Sequence, residues 1–387
     1  MTMAKGAKAR YVLQFEKSIG VPPDTPAGIV LPFNSETIAS NRPLNKSGTM
    51  TGRRDPSEPF EGNLKAAGNI VVPLDAVIFG YLLKAMFGLP TSTRHAAKAL
   101  SGAAVNKSNG LVGLPCTGHG MAVGSVVTVA SSTSYNGDYT VQASTSANEI
   151  VILKTFTAEI FSGATAQAKI YDHVFKVGDT MPSVMLEKGF TDIGQYVMFA
   201  LARASKLALS AGGDQELLAT VDFECAQASK STTPFQANPT LPVMAKFNNF
   251  QATVLEAGVA LATCSDFSLS LDFGLDTGVY TLGSNGQRGD LPEGDISASG
   301  TIKTLFKDSS LYDKALNSQA TSLKLVFSRT IESLTFEFQE VRLERKDPVV
   351  SGPKGIYYDP SWQAYYASGA GNSAVIVTLT NQVASYA

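Results

Sequence analysis

A nine-residue pattern that occurs twice constrains the fold of this chain more than any other feature. Gly62-Asn-Leu-Lys-Ala-Ala-Gly-Asn-Ile70 and Gly294-Asp-Ile-Ser-Ala-Ser-Gly-Thr-Ile302 share the form G-x-(L/I)-x-A-x-G-x-I. In the later copy Ile296, Ala298, Gly300 and Ile302 fall on one parity, and Ser297, Ser299, Thr301 and Lys303 on the other. Alternation with period two is the mark of a half-buried strand. A helical segment is expected after each copy. The first spans about 75–87, with Asp75 as N-cap and Gly88-Leu-Pro90 as stop. The second spans 309–317, with Leu311, Tyr312, Ala315 and Leu316 at helical spacing. Leu82-Leu-Lys-Ala-Met86 is echoed by Tyr312-Asp-Lys-Ala-Leu316, so the reading is an internal duplication.

Beyond the helix the two copies diverge. In the second, only a few residues separate it from a strand at 322–328, where Leu323, Leu325 and Phe327 share a parity. In the first, the chain runs from 91 to about 170 before an equivalent strand can begin near His173. That excess has its own β pattern. Val126-Val-Thr-Val129 and Tyr139-Thr-Val141 flank Tyr135-Asn-Gly-Asp138, where Asn-Gly tolerates positive φ and reads as a hairpin turn. Ile150-Val-Ile-Leu153 adds a third strand. Residues 91–170 are therefore expected to form an inserted small β-module, with 91–109 as a flexible tether; lengthening a surface loop costs little entropy. The expected division is 1–90 with 171–230 as a first unit and 231–387 as a second.

Strand patterns fill most of the remainder. They comprise an edge strand near 11–15, a pair at 195–210 and 217–227, and the clean alternation of Phe267, Leu269, Leu271 and Phe273. Leu334, Phe336 and Phe338 alternate until a parity slip near Gln339-Glu340, where a bulge is expected. Residues 347–371 form a Pro/Gly/Tyr-rich excursion, and 374–379 close the chain as an internal strand.

Composition narrows the function classes. The chain has 387 residues, 44% hydrophobic and 17% charged, which excludes wholesale disorder. Its 31 basic and 33 acidic side chains give a net charge of −2, so no strongly basic nucleic-acid face is expected. Cys116, Cys225 and Cys264 are too scattered for a disulfide framework and read as reduced thiols. The segment up to Glu16 is too short and polar for a signal sequence, and no run reaches membrane-span length. Cys116-Thr-Gly-His119 has ligand-like spacing, but one Cys and one His do not close a zinc site. Phosphate-loop, nucleophile-elbow and zincin motifs are missing, so neither an enzyme nor a cofactor is expected. Trp362 with Tyr357, Tyr358, Tyr365 and Tyr366 reads either as a sugar platform or as an aromatic loop buried at a subunit contact.

Taken together, the long loop, strand and helix of 45–88 and 283–317, the repeated strand and the closing Val-Thr-Leu-Thr-Asn381 resemble the tail tube (major tail) proteins of long-tailed bacteriophages. The resemblance covers nearly the whole chain except the module. It implies a mainly β fold: two tandem tail-tube-like β-sandwich or barrel units, each with a flanking helix, plus the module as an outer decoration. It also implies a structural virion protein, assembled in the host cytoplasm, whose rings stack into a hollow tube that carries DNA to the host. Its partners would then be further copies of itself, tape-measure and tail-end proteins, and DNA in transit, with no membrane. The long loops would hold adjacent rings together, which makes Arg53, Arg54, Asp55, Arg288, Asp290 and Glu293 the inter-ring candidates. Carboxylates on polar strand parities, Asp222, Glu224, Asp272 and Glu337, are the lumen-facing candidates. Strands about 4.8 Å apart and tilted roughly 40° give a backbone diameter of about 48 Å for twenty-four strands. If each repeat supplies four inner strands, three chains close that ring. A trimer with pseudo-sixfold symmetry is expected, ahead of a hexamer of single-domain chains. The alternative from a different class is a surface adhesin or carbohydrate-binding virion protein acting through the module.

Overall fold

A computed structural model describes residues 3–350, 352–369 and 371–387, and the protein is mainly β with two short α-helices among them. The chain divides into two compact units. One comprises Met1–Gly88, Lys176–Leu325 and Phe336–Ile376; the other Leu89–Phe175, Val326–Thr335 and Val377–Ala387.

Five strands organise the first unit: β1 (Lys65–Pro73), β2 (Gln195–Gly212), β3 (Leu218–Ser231), β4 (Cys264–Asp272) and β5 (Ser297–Leu305). They pair antiparallel in the order β1–β3–β2–β4–β5. Because side chains alternate across a pleated strand, register assembles whole rows. Ile70, Val221, Leu207, Leu271 and Ala298 form one row of the core face. Val72, Ala219, Leu209, Leu269 and Gly300 form the next. Every member except Gly300 is buried. β2 is the shared strand: its first half also pairs with Val184–Phe190 and its second with β4. A register shift between Ala204 and Lys206 and a positive φ at Leu201 (47°) separate the halves.

Both repeat strands carry their glycine for a steric reason. A Cβ on Gly68, whose φ is +151°, would sit 2.6 Å from the Ile38 backbone; on Gly300 it would sit 1.9 Å from the Ser268 carbonyl oxygen. At Gly68 that space is taken by Thr37 and Ile38, which link the short strands Ser35–Glu36 and Ala39–Asn41 beside β1; at Gly300 it is taken by Ser268 of β4 and the Trp362 ring of Ser361–Ala364 beside β5. α1 (Phe79–Phe87) starts later than the sequence predicts. Asp75 Oδ1 instead accepts the N–H groups of Val77 and Ile78 at 2.6 and 2.7 Å, making a turn ahead of the helix. Gly88, at φ 84°, ends α1. α2 spans Ser310–Leu316.

Three further expectations are corrected in this unit and the next. The 11–15 strand is not an edge: Ala9–Phe15 pairs with Val184–Phe190 on one side, and its residues 11–13 pair with Ile29–Leu31 on the other. The aromatic excursion is no open platform. Trp362 is buried, with ring centroids 5.5 Å from Phe267 and 4.7 Å from Phe338, and Tyr358 is buried beside Phe306 and Tyr312. Residues 91–109 are not a free tether. Thr91–Arg94 pairs with 171–174, and Lys98–Ala99 with Ala166 and Thr165. The Arg94 guanidinium fixes the first of these by donating to the carbonyls of Ala168 and Gln167.

The second unit contains three small sheets among the described residues, 105–106/111–115/149–153, 137–140/126–130/165–168/98–99 and the pair 102–103/160–161. Val112, Leu114, Ile150 and Ile152 from the first meet Val127, Val129, Ala166 and Ala168 from the second in a single core. The 126–130/137–140 hairpin lacks a two-residue Asn-Gly turn. Its loop is six residues, 131–136, closed by Asn136, which accepts from the Ser132 N–H and donates to the Ser132 carbonyl. The three cysteines are free thiols. Among the described residues no helix is long and apolar enough to cross a membrane.

Candidate functional site

Every strand of the five-stranded sheet carries polar residues on the parity that faces away from its core, interrupted by Ala67, Val71 and Ala208. Asn69, Asp222, Lys206, Asp272 and Ser297 form one cross-strand row, and Val71, Thr220, Ala208, Ser270 and Ser299 the next. Beyond them Ser210 pairs with Ser268, which pairs with Thr301, and Gly212 pairs with Asp266, which pairs with Lys303. The Ser268 and Thr301 hydroxyls bond at 2.7 Å, and Lys303 lies 3.8 Å from Asp266. Burial raises the Asp222 carboxyl above its ordinary value and Asp272 adds to the rise, while Lys206 and Asn69 oppose it. These rows present Asp222, Asp272 and Asp266 with Lys206 and Lys303 among hydroxyls, and Glu224 and Lys65 share the parity.

The candidate residues divide on this frame. Asp222 and Asp272 flank Lys206 in one row. Glu224 shares that parity but is engaged by Arg288, whose Nη1 lies 2.7 Å from its Oε2. Glu337 lies outside the five strands, on Ser333–Leu343, 3.0 Å from Lys324. Lys206 escaped the sequence reading although its parity in the 195–210 pattern was visible.

One end of this face is covered by a loop running from Gly274 to Gly294. Its neck is pinched so closely that a Cβ on Gly274 would meet the Asp295 carbonyl at 2.6 Å, and one on Gly294 the Gly274 carbonyl at 2.5 Å. Leu291, fully buried, packs with Leu201 and Ala226. Arg203, only 1% exposed, donates from Nη1 to the Leu291 carbonyl at 2.7 Å and to Glu293 at 2.8 Å, with Asp290 3.8 Å from Nη2. Arg288 reaches Glu224 and the Cys225 carbonyl. Burial opposes the charge on Glu293, but the Met181 N–H, its own N–H and Arg203 hold its carboxyl below the ordinary value. Arg288, Asp290 and Glu293 thus serve contacts within their own chain. Arg203 was missed, though an arginine inside Phe199-Ala-Leu-Ala-Arg203-Ala was a signal that a buried partner exists.

The matching loop of the first copy is built differently. Leu44–Asn45 pairs with Phe60–Glu61, and the tip between them, residues 46–59, is exposed almost throughout. It carries Arg53, Arg54 and Asp55, all exposed, and Met50 at 97% exposure. The base of this arm rests on the other loop: Leu64 N–H donates to the Gly286 carbonyl at 2.8 Å, Arg42 Nη2 to the Asn285 carbonyl at 2.6 Å, and the Tyr280 hydroxyl to the Leu64 carbonyl at 3.2 Å.

The isolated Cys–His pair has a structural use. Cys116 is buried in the small core, and His119 accepts from the Met121 N–H while donating to the Ser146 carbonyl. Among the described residues no cluster of three or more His, Cys, Asp or Glu is arranged to hold a metal ion. Compared with known proteins, the chain matches the family model described as phage tail tube protein over residues 6–364. No curated protein matches it.

Proposed function

The chain belongs to the phage tail tube protein family, a structural component of the virion tail that assembles with itself into a tube, and from that premise we propose how it does so. Copies form rings that stack, the polar face of β1–β5 lines the bore, and DNA passes through to the host. The observation that carries this reading is the row Asn69, Asp222, Lys206, Asp272 and Ser297, polar across five registered strands, with Thr220, Ser270, Ser299, Ser268 and Thr301 adding hydroxyls beside it. A cation-rich lining would grip the phosphate backbone through counterion release and stall passage.

The ring size follows from strand geometry. Counting the short strands at both edges, the sheet offers seven columns per chain. At about 4.8 Å spacing and roughly 40° tilt, two chains give a backbone diameter of about 28 Å and three about 42 Å. Side chains project about 5 Å from each wall, half the spacing of packed sheets. Three chains then make the smallest ring that leaves room for a duplex. In this reading the two repeats make the trimer pseudo-hexameric, the 91–170 module decorates the outside, and the exposed tip with Arg53, Arg54 and Asp55 reaches the next ring. Tape-measure and tail-end proteins cap the assembly, which forms in the host cytoplasm.

Electron microscopy of the purified chain tests the arrangement: hollow tubes with three chains per ring are expected, and six chains per ring would overturn the stoichiometry. Asp222→Lys with Asp272→Lys tests the bore, since ejection of DNA should slow; an unchanged ejection rate would remove this face from the lumen.

A further inference from the structure

The two polar loops that precede the repeated strand have opposite construction, one exposed arm and one loop clamped by buried arginines, and the clamped loop carries the base of the arm. We infer that the 274–294 loop is a bracket that aims the 42–64 arm, and that Arg203 and Arg288 are positioning residues for tube assembly. The inference rests on the reading of the arm tip as the inter-ring contact.

Three features support it. First, the loop is held at fixed height over the sheet. The Gly274–Gly294 pinch closes its neck, Leu291 plugs the pocket beside Leu201 and Ala226, and Arg203 ties the Leu291 carbonyl and Glu293 to β2. Second, Arg288 locks the stretch beyond the plug by joining Glu224 and the Cys225 carbonyl, while its guanidinium lies 5.9 Å from the Tyr280 ring centroid. Third, the part so locked is the part the arm leans on. Tyr280, Asn285 and Gly286 supply the three hydrogen bonds to Arg42 and Leu64, and Gly286 (φ +70°) lets the backbone of Asn63 approach closely. A two-stranded ribbon with a two-residue ladder has little stiffness of its own. An arm that must meet its partner in one orientation loses affinity if it must be ordered on contact. The bracket removes that ordering step before assembly.

The test compares the full-length parent with Arg203→Met and Tyr280→Phe, with Met50→Ser/Arg53→Glu as the control for the arm tip. Hydrogen exchange at the Leu64 amide, thermal unfolding, and tube yield by electron microscopy are read on each. Arg203→Met is expected to raise Leu64 exchange at least tenfold and cut tube yield by a similar factor, while amides of β4 and β5 keep their protection. Tyr280→Phe, which leaves both buried arginines in place, should give the same pattern at a few-fold size and serves if Arg203→Met does not fold. Unchanged Leu64 exchange in both variants, or normal tube yield despite faster exchange, overturns the bracket. If the arm-tip control assembles like the parent, the arm reading itself falls. If the control blocks assembly while Arg203→Met and Tyr280→Phe do not, only the bracket falls.

Discussion

The two strand-and-helix segments begin from nearly the same sequence and end in different environments. β1 and β5 each bury the alanine, isoleucine and following residue of the shared pattern: Ala66, Ile70 and Val72 in one, Ala298, Ile302 and Thr304 in the other. The helices diverge. α1 buries seven of its nine residues, whereas α2 buries Leu311 and Ala315 among seven. Their shared Lys-Ala pair shows the difference at one position. Lys84 lies with its ammonium 4.0 Å from the centroid of the Phe15 ring, and burial lowers its pKa. Lys314 instead forms an ion pair with Glu256, which also accepts from Thr321. A local pattern thus sets the element, while the neighbours that arrive from elsewhere in the chain set its depth.

The comparison can be broken most forcefully at the paired glycines. Gly300→Ala should destabilise by more than about 4 kcal/mol because its Cβ would meet a backbone carbonyl, and Gly68→Ala by about 3 kcal/mol. Denaturant unfolding measures both, and a cost under about 1 kcal/mol would mean that the facing backbone yields, at Ser268 of β4 for Gly300 and at Thr37–Ile38 for Gly68. Next in size, Leu83→Ala in α1 should cost about 3 kcal/mol and Leu311→Ala in α2 about 2 kcal/mol, since Leu311 retains some exposure. Equal losses would erase the difference in depth.

Sharper, though smaller, is the lysine pair, where the signs should oppose. Lys314→Met strands the buried Glu256 carboxylate and should cost about 2 kcal/mol. Lys84→Met removes a partly buried cation and should be neutral or stabilising, read as an unchanged or raised melting temperature. The smallest effect is in pH. The depressed pKa of Lys84 means that the unfolded chain binds more protons between the folded value and the ordinary 10.5. Stability relative to Lys84→Met should therefore rise with pH across that window; a flat difference would show that the ammonium is not penalised.

Alternation made the strands legible, and with them the two faces of the sheet: Asp222 and Asp272 were assigned to a polar parity before their partner strands were known. Periodicity reports which side a residue takes, not which strand lies beside it. That is why the sequence leaves Trp362 open between a sugar platform and a buried subunit contact until Phe267 and Phe338 of its own chain are brought to it, and why 91–109 reads as a tether until 165–174 pairs with it. The clamp on the 274–294 loop was hidden for the same reason, since Arg203 and Glu293 are 90 residues apart and meet only when β2 is in place. Asn136 misled differently. Its side chain closes a loop four residues long in hydrogen-bond span instead of supplying a tight turn.

The shared strand β2 has a consequence for how the chain comes to be folded. Ile70 finds its sheet partner at Val221, and Leu207 completes its row only with Leu271. During synthesis β1 must wait for about 150 residues to emerge, which makes this a sheet of high contact order and slow closure. The buried residues of the small core, from Leu100 to Ile170, all lie within that interval, and only Ile331 of the residues packed against them comes later. It can condense while β1 is paired on one edge only, with residues 35–36 and 39–41, so the growing chain holds an apolar strand with one open edge for as long as these residues take to appear.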